Sequence, residues 1–137
     1  MSTVQRFIQC NQFAVVGASP SRSKFGNRIL RWYQSNHLPV IPVNPKENSI
    51  ETLDTIASID ELADPKHTGL SIITPPKVTL EILKKAKALG IENIWIQPGA
   101  EDAEVLNYCS QANLDVIAGG PCLLVQGPAL LPQRSRL

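Results

Sequence analysis

The stretch Phe13-Ala14-Val15-Val16-Gly17-Ala18-Ser19 decides how the rest of this sequence is read. A short apolar, β-branched run that stops at a glycine has the pattern of a strand buried on both faces, as in a parallel sheet. A polar loop from Ser19 to Lys24 leads to Gly26, after which Ile29, Leu30 and Tyr33 recur at helical spacing until Asn36 and His37. Strand, glycine loop and helix in that order open a βαβ unit. Gly17 permits a tight turn, Ala18 and Ser19 keep side chains small, and Gly26 allows close backbone approach at the helix start. Exposed N–H groups in such a place favour an anion. Arg22, Lys24 and Arg28 add positive charge on and just after the same loop, although a charge run by itself is ordinary solvated surface. The glycine separation is longer than in G-x-G-x-x-G, which weakens a standard NAD reading.

Further along, Val40-Ile41-Pro42-Val43 predicts a second parallel strand reached by a right-handed crossover. Pro42 has no ladder donor, so a third strand beside it has to be short or offset, and Thr52 to Ala57 is read as that strand. Ser58 with Glu61 three positions on suits the start of a short helix before Pro65. Leu70-Ser71-Ile72-Ile73, Ile94-Trp95-Ile96 and Val116-Ile117-Ala118 are the remaining strands. Between them, Val78, Ile82, Leu83, Ala86 and Leu89 form an amphipathic helix that ends at Gly90, and Ala103, Leu106, Cys109 and Gln111 lie in another. This alternation predicts a single α/β domain over residues 1–126, Rossmann-like, its parallel sheet covered by helices on both faces. The expected strand order is 3-2-1-4-5-6. Residues 127–137, with Gly127, Pro128, Pro132 and Arg136, are read as a C-terminal tail.

With 137 residues, 43% of them hydrophobic, and a formal net charge of +1, the chain suits one core and one site, and any electrostatic function must be local. Neither nucleic acid nor a membrane surface is expected as partner. Cys10, Cys109 and Cys122 lack the spacing of a zinc site or a disulfide framework, so no metal is expected and a reducing compartment is. No secretory signal or apolar run of about 18 residues is found, which makes the cytoplasm the expected location. The apolar pair Leu130-Leu131, taken as exposed, and the sheet edges allow a homodimer.

In a doubly wound sheet a ligand lies outside the carboxyl ends of the strands, which selects the loops after each one. After the second strand comes Asn44-Pro45-Lys46, where an NAD site would place an acid; Lys46 instead accommodates a phosphorylated ribose, as in coenzyme A or NADP, although Glu47 follows at once. Thr74-Pro75-Pro76 and Gln97-Pro98-Gly99 offer rigid, weakly polar walls suited to an adenine or a pantetheine arm, or simply stop two strands. Catalytic groups are not evident: there is no Ser/His/Asp order and no carboxylate pair at the strand ends. His37 and His67 are read as surface or structural residues. Cys122 follows Gly119-Gly120-Pro121 at the ligand edge, either as a packing residue or as a thiol that meets a ligand's reactive end.

Taken together, Phe13 to Ser19, Val40-Ile41-Pro42-Val43-Asn44-Pro45-Lys46, Thr74-Pro75-Pro76 and Ile94-Trp95-Ile96-Gln97-Pro98-Gly99-Ala100 resemble the small CoA-binding domain family. That family is similar to the N-terminal CoA-binding domain of succinyl-CoA ligase alpha subunits. The resemblance implies that Gly17, Ala18, Ser19, Lys24, Phe25 and Gly26 line the phosphate and pantetheine path. It places Lys46 at the 3′-phosphorylated ribose, and Asn44 in the same segment is counted with the cofactor-binding residues. It also implies that Thr74, Pro75 and Pro76, with Ile96, Gln97 and Pro98, wall the adenine and the arm. Where many bacterial members carry an Asp-Arg-Cys segment, this sequence has Gly120-Pro121-Cys122, which removes an acid and a base. The ligase domain with its phosphorylated histidine is not in this sequence either, so binding carries over and turnover does not. The leading expectation is a stand-alone module for coenzyme A or an acyl-CoA, a sensor or accessory subunit. The alternatives are an enzyme using NADP or an acyl thioester, with Cys122 or a partner chain supplying the chemistry, and an interaction protein that keeps the fold without a ligand.

Overall fold

The apolar runs that stop at glycine or proline become the strands of one parallel sheet. In the computed structural model, which describes residues 1–134, α1 (Thr3–Ile8) leads into β1 (Gln12–Val16), α2 (Phe25–Ser35) and β2 (Val40–Val43). A small hairpin of β3 (Ser49–Ile50) and β4 (Leu53–Asp54) follows, then β5 (Thr68–Ile72) and α3 (Pro76–Leu89). β6 (Asn93–Ile96), α4 (Ala103–Gln111), β7 (Val116–Ile117) and α5 (Leu123–Leu130) complete the order. The five-stranded sheet runs β2-β1-β5-β6-β7, and every pairing in it is parallel.

Expected and observed strand orders agree except at the outer edge. Thr52 to Ala57 does not form a full third strand; the chain makes the antiparallel β3–β4 hairpin and touches the sheet again through one parallel bridge, Ile56 to Val43. The reason lies in Pro42. Its carbonyl accepts the Ile56 N–H at 3.1 Å, so its backbone faces outward, while Val43 O faces β1 and accepts the Gly17 N–H at 3.4 Å. The donor that proline lacks is therefore the one an outer strand would need, and the ladder cannot extend.

Side chains alternate across the sheet with the period of a strand. Phe13, Val15 and Trp95 point to the face covered by α1, α2 and α5, where they meet Phe7, Ile29, Leu30, Tyr33 and Leu123. Ala14, Val16, Ile94 and Ile96 point to the other face, where α3 and α4 bring Leu83, Ala86, Val105 and Cys109. The first face is aromatic: Phe13 stacks on Tyr33 with ring centroids 4.9 Å apart, and Phe7 meets Trp95 edge-on at 5.4 Å. Tyr33 is fully buried, and its hydroxyl shares a 2.7 Å hydrogen bond with Ser71 Oγ on β5.

Two terminal segments depart from the sequence reading. α1 is not foreshadowed by its residues' periodicity, yet a capping box between Ser2 and Gln5 starts it, and Phe7 and Ile8 bury against the sheet. Residues 127–134, read as a tail, instead form the end of α5 and a 3-10 turn at Leu131–Gln133. Leu130 is buried rather than exposed, and Gly127 lies so close to the Trp32 indole that an added Cβ would stand 2.3 Å from Cζ2. Arg134 donates to the carbonyls of Ile8 and Cys10, both at 2.8 Å, and its guanidinium lies over the Phe13 ring. Gly127 and Pro128 look like breakers, but the leucines around them carry enough apolar surface to hold the segment down. Arg136 lies outside the described residues.

Two measurements check this core. Tyr33→Phe leaves the buried Ser71 hydroxyl without its partner and should cost about 1–3 kcal/mol in urea denaturation, with Tyr33→Phe and Ser71→Ala together costing less than the sum of the single changes. Burial pushes the Tyr33 phenol well above its ordinary range and the Cys10 thiol from 9.0 up to about 11, the latter against the lowering influence of Arg134. Both groups hold their protons more tightly folded than unfolded. The stability they contribute is complete below about pH 9 and is lost as pH rises beyond it. Urea midpoints should therefore fall from pH 9 to 11, and Tyr33→Phe should flatten the part of the decline above about pH 10.

Candidate functional site

At the carboxyl end of β1 the chain has to turn in very little space. Gly17 has φ +95°, and a Cβ there would sit 3.0 Å from the carbonyl oxygen of Ile73, just past the end of β5. Gly26, in the first turn of α2, lies closer still: a Cβ would be 2.2 Å from Gly17 O. The N-terminus of α2 therefore rests directly on the end of the central strand. Lys24 is its N-cap with an extended backbone, and no side chain caps the first turn. The N–H groups of Phe25 and Gly26 have no acceptor among the described residues.

Side-chain amides hold this loop in place. Asn27, fully buried, donates to Ser19 O at 2.9 Å, and Asn44 donates to Ala18 O at 2.9 Å. Asn44 Oδ1 accepts the N–H groups of Lys46 at 2.7 Å and Glu47 at 3.2 Å, an Asx turn that aims the chain after β2. On the β5 side, Thr79 braces Thr74 through a 2.8 Å hydroxyl contact and a hydrogen bond to its carbonyl.

These loops enclose a groove of about 640 Å³. Gly17, Ala18, Ser19, Lys24, Phe25 and Gly26 line one side, Asn44 and Lys46 a second, and Ile73, Thr74 and Pro75 the third. The remaining residues anticipated from the sequence lie outside it. Pro76 is the first residue of α3, Pro98 stands exposed in the turn after β6, and Ile96 is packed in the α3–α4 core. Gln97 is fully buried; its Oε1 accepts the Leu123 N–H at 3.0 Å and so ties α5 to the end of β6, while its Nε2 has no partner. Cys122 is the N-cap of α5, half-buried, in a loop held by the Trp95 indole N–H on Pro121 O at 3.0 Å.

Charge at the groove is more selective than the sequence suggests. Lys24 and Lys46 line it, and neither makes an ion pair among the described residues. Arg28 is exposed on α2, and Arg22 is turned towards Glu51, with Nε 3.6 Å from Oε2. Ile73, Asn27 and Glu51 are the participants that sequence reasoning missed. Asn27 had a signal, a polar residue three positions before Leu30 on the buried face of α2; Glu51 had none, because its place depends on the hairpin. His37 ends α2 in a left-handed turn and His67 pairs with Asp64 at 2.9 Å, so neither faces the groove.

A larger cavity, about 830 Å³, opens at the opposite end of the sheet, lined in part by Asn11, Lys66, Gly90 and Asn113. Gly90 and Asn113 mark the C-terminal ends of α3 and α4, whose carbonyls disfavour an anion, while Arg6, Lys66 and Lys87 among the cavity's lining residues stand against Glu92 and Asp115. The smaller groove has the helix N-termini, whose free N–H groups favour an anion. No helix among the described residues is long and apolar enough to cross a membrane, and no cluster of three or more His, Cys, Asp or Glu among them could hold a metal.

A family model for the CoA binding domain matches residues 11–128, from the approach to β1 into α5. Among solved structures, a conserved hypothetical protein from Pyrococcus furiosus is 37% identical, with a TM-score of 0.78 over 85% of this chain and 98% of that one. A protein from Thermus thermophilus is 25% identical, with a TM-score of 0.80 over 96% of this chain and 100% of that one. A hypothetical protein from Pyrococcus horikoshii, 24% identical with a TM-score of 0.82 over 94% and 89% of the two chains, shares the fold. No curated protein matches. The matched span takes in the five strands of the main sheet and each loop of the groove, and the chain belongs to the CoA-binding domain family.

Proposed function

We propose that this chain binds coenzyme A or an acyl-CoA in the groove between β1, β2 and β5, as a stand-alone module. One observation carries the reading: the uncapped first turn of α2, with free N–H groups at Phe25 and Gly26, opens between two unpaired ammonium groups, Lys24 and Lys46. Amide donors, a helix N-terminus and lysines together suit a ligand with more than one phosphate. A groove of about 640 Å³ is in the size range of cofactor sites, and the glycines leave room for backbone approach that any side chain would close.

On this reading Ser19, Phe25 and Gly26 take the pyrophosphate, with Lys24 beside it. Lys46, aimed by the Asn44 Asx turn, takes the 3′-phosphate of the ribose, and Ile73, Thr74 and Pro75 wall the adenine. The pantetheine arm would run along the strand ends towards Pro98 and Cys122. Coenzyme A, when bound, would bring a thiol or thioester to that end of the sheet. The groove itself is lined by ammonium, amide and hydroxyl groups, which suit binding and orienting a ligand. On the same reading the module is a sensor or accessory subunit acting in the cytoplasm.

Isothermal titration with coenzyme A, NADP and NAD in parallel, on the unaltered protein and on Lys46→Ala, tests the proposal. Coenzyme A should bind tightest, and Lys46→Ala should weaken it about tenfold to a hundredfold, as loss of a charge-assisted phosphate contact does. Absence of binding by all three ligands, or tighter binding of NADP than of coenzyme A, would overturn it.

A further inference from the structure

We infer that Glu51 is a positioning residue of the phosphate loop: its carboxylate acts as an internal counter-anion that holds Arg22 away from the groove and so limits ligand affinity. This inference rests on the groove being the ligand site.

The first observation is conformational. Glu51 and Thr52 form the two-residue tip of the β3–β4 hairpin, with φ values of +50° and +68°. Such turns are normally filled by Asn and Gly, because other residues resist the left-handed region. A non-glycine pair persists there only where surrounding contacts hold it.

Those contacts lead to the ligand loop. The Glu51 carbonyl accepts from Gln34 Nε2 at 2.9 Å, and Glu51 Oε2 accepts from Asn27 Nδ2 at 3.1 Å. That same Asn27 Nδ2 donates to Ser19 O, and its Oδ1 accepts Arg31 Nε at 2.7 Å. Arg31 then donates to Arg22 O at 2.9 Å. The Ser19 end of the segment from Ser19 to Arg22 is thus bonded to a buried amide that the hairpin carboxylate also grips, and the Arg22 end is tied to that amide through Arg31.

The second observation is electrostatic. The Glu51 side chain is 21% exposed and that of Arg22 is 68% exposed. The carboxylate sits in the less screened environment and is anchored by Asn27, so it stays in place while the exposed guanidinium turns to it. Arg22 belongs to the loop that lines the groove, yet it faces Glu51 and does not line the groove itself. The carboxylate withdraws one cation from the ligand field and adds a negative charge behind it. Lys24 and Lys46 are left as the groove's cations, so a ligand gains most by reaching both lysines at once.

The test is titration of coenzyme A into the unaltered protein, Glu51→Gln, Arg22→Ala and the double variant, at low and moderate salt, with thermal melts of each. Glu51→Gln keeps an acceptor for Asn27 and removes the charge. It should tighten binding by up to about fivefold and steepen its salt dependence, as release of one surface cation does. Arg22→Ala alone should leave affinity within about twofold, and in the Glu51→Gln background it should abolish the gain. A purely structural Glu51 would give the opposite sign, weaker binding on substitution. A loss on Arg22→Ala comparable with that on Lys46→Ala, or unchanged or weaker binding by a folded Glu51→Gln, overturns the inference and leaves the ligand site standing. If Glu51→Gln does not fold, the Arg22→Ala result decides alone. Failure of the unaltered protein to bind coenzyme A overturns the site and this inference together.

Discussion

A side chain at position 26 would put its Cβ 2.2 Å from the carbonyl oxygen of Gly17, and that close approach sets how near α2 can come to the end of β1. With glycine in place the helix N-terminus rests on the strand end, and its first N–H groups open into the space between β1, β2 and β5 instead of into a loop. Gly17 repeats the constraint on the other side, where a Cβ would crowd the carbonyl of Ile73 at 3.0 Å and the φ of +95° strains any other residue. The groove is thus a product of backbone packing before any side chain is considered. Its position follows from topology as well. α2 covers one face of the sheet and α3 the other, so their N-termini flank the crevice where the strand order departs from β1 in both directions.

Local electrostatics does the rest. A chain with a formal charge of +1 has no strong overall field, so recognition of an anion would depend on where a few groups stand. Two lysines face the groove from different loops, and two amide side chains, Asn27 and Asn44, hold the backbone that presents them. Both asparagines donate to backbone carbonyls of the loop, and Asn27 is itself held between the Glu51 carboxylate and Arg31. Arginine is kept for other work: Arg31 and Arg134 bond carbonyls, and Arg22 faces Glu51.

Much of this was legible in the sequence, for reasons that show where reading stops. Buried parallel strands announce themselves as apolar runs, and Phe13 to Val16, Leu70 to Ile72 and Ile94 to Ile96 are found where those runs place them. Loop residues next to strand ends were legible too, because the fold rule selects them regardless of side-chain detail. What could not be read was direction. Ile96 and Gln97 follow one another at the end of β6, yet one enters the core and the other clips α5, an outcome set by sheet register. Pro42 warned of an imperfect neighbour without saying that the chain would fold back as a hairpin, and it is the hairpin that brings Glu51 to the loop. Gly127 and Pro128 misled because their local preference is overruled by the packing of Gly127 on Trp32 and by the burial of Leu123 and Leu130 on either side of them.

The most direct test of the account is to add coenzyme A to isotopically labelled protein and follow the backbone amide resonances. The account predicts that Ser19, Phe25, Gly26 and Lys46 shift most, with the amides of Asn11, Gly90 and Asn113 at the opposite cavity unmoved. Shifts concentrated at that opposite cavity, or no shifts at saturating ligand, would contradict it.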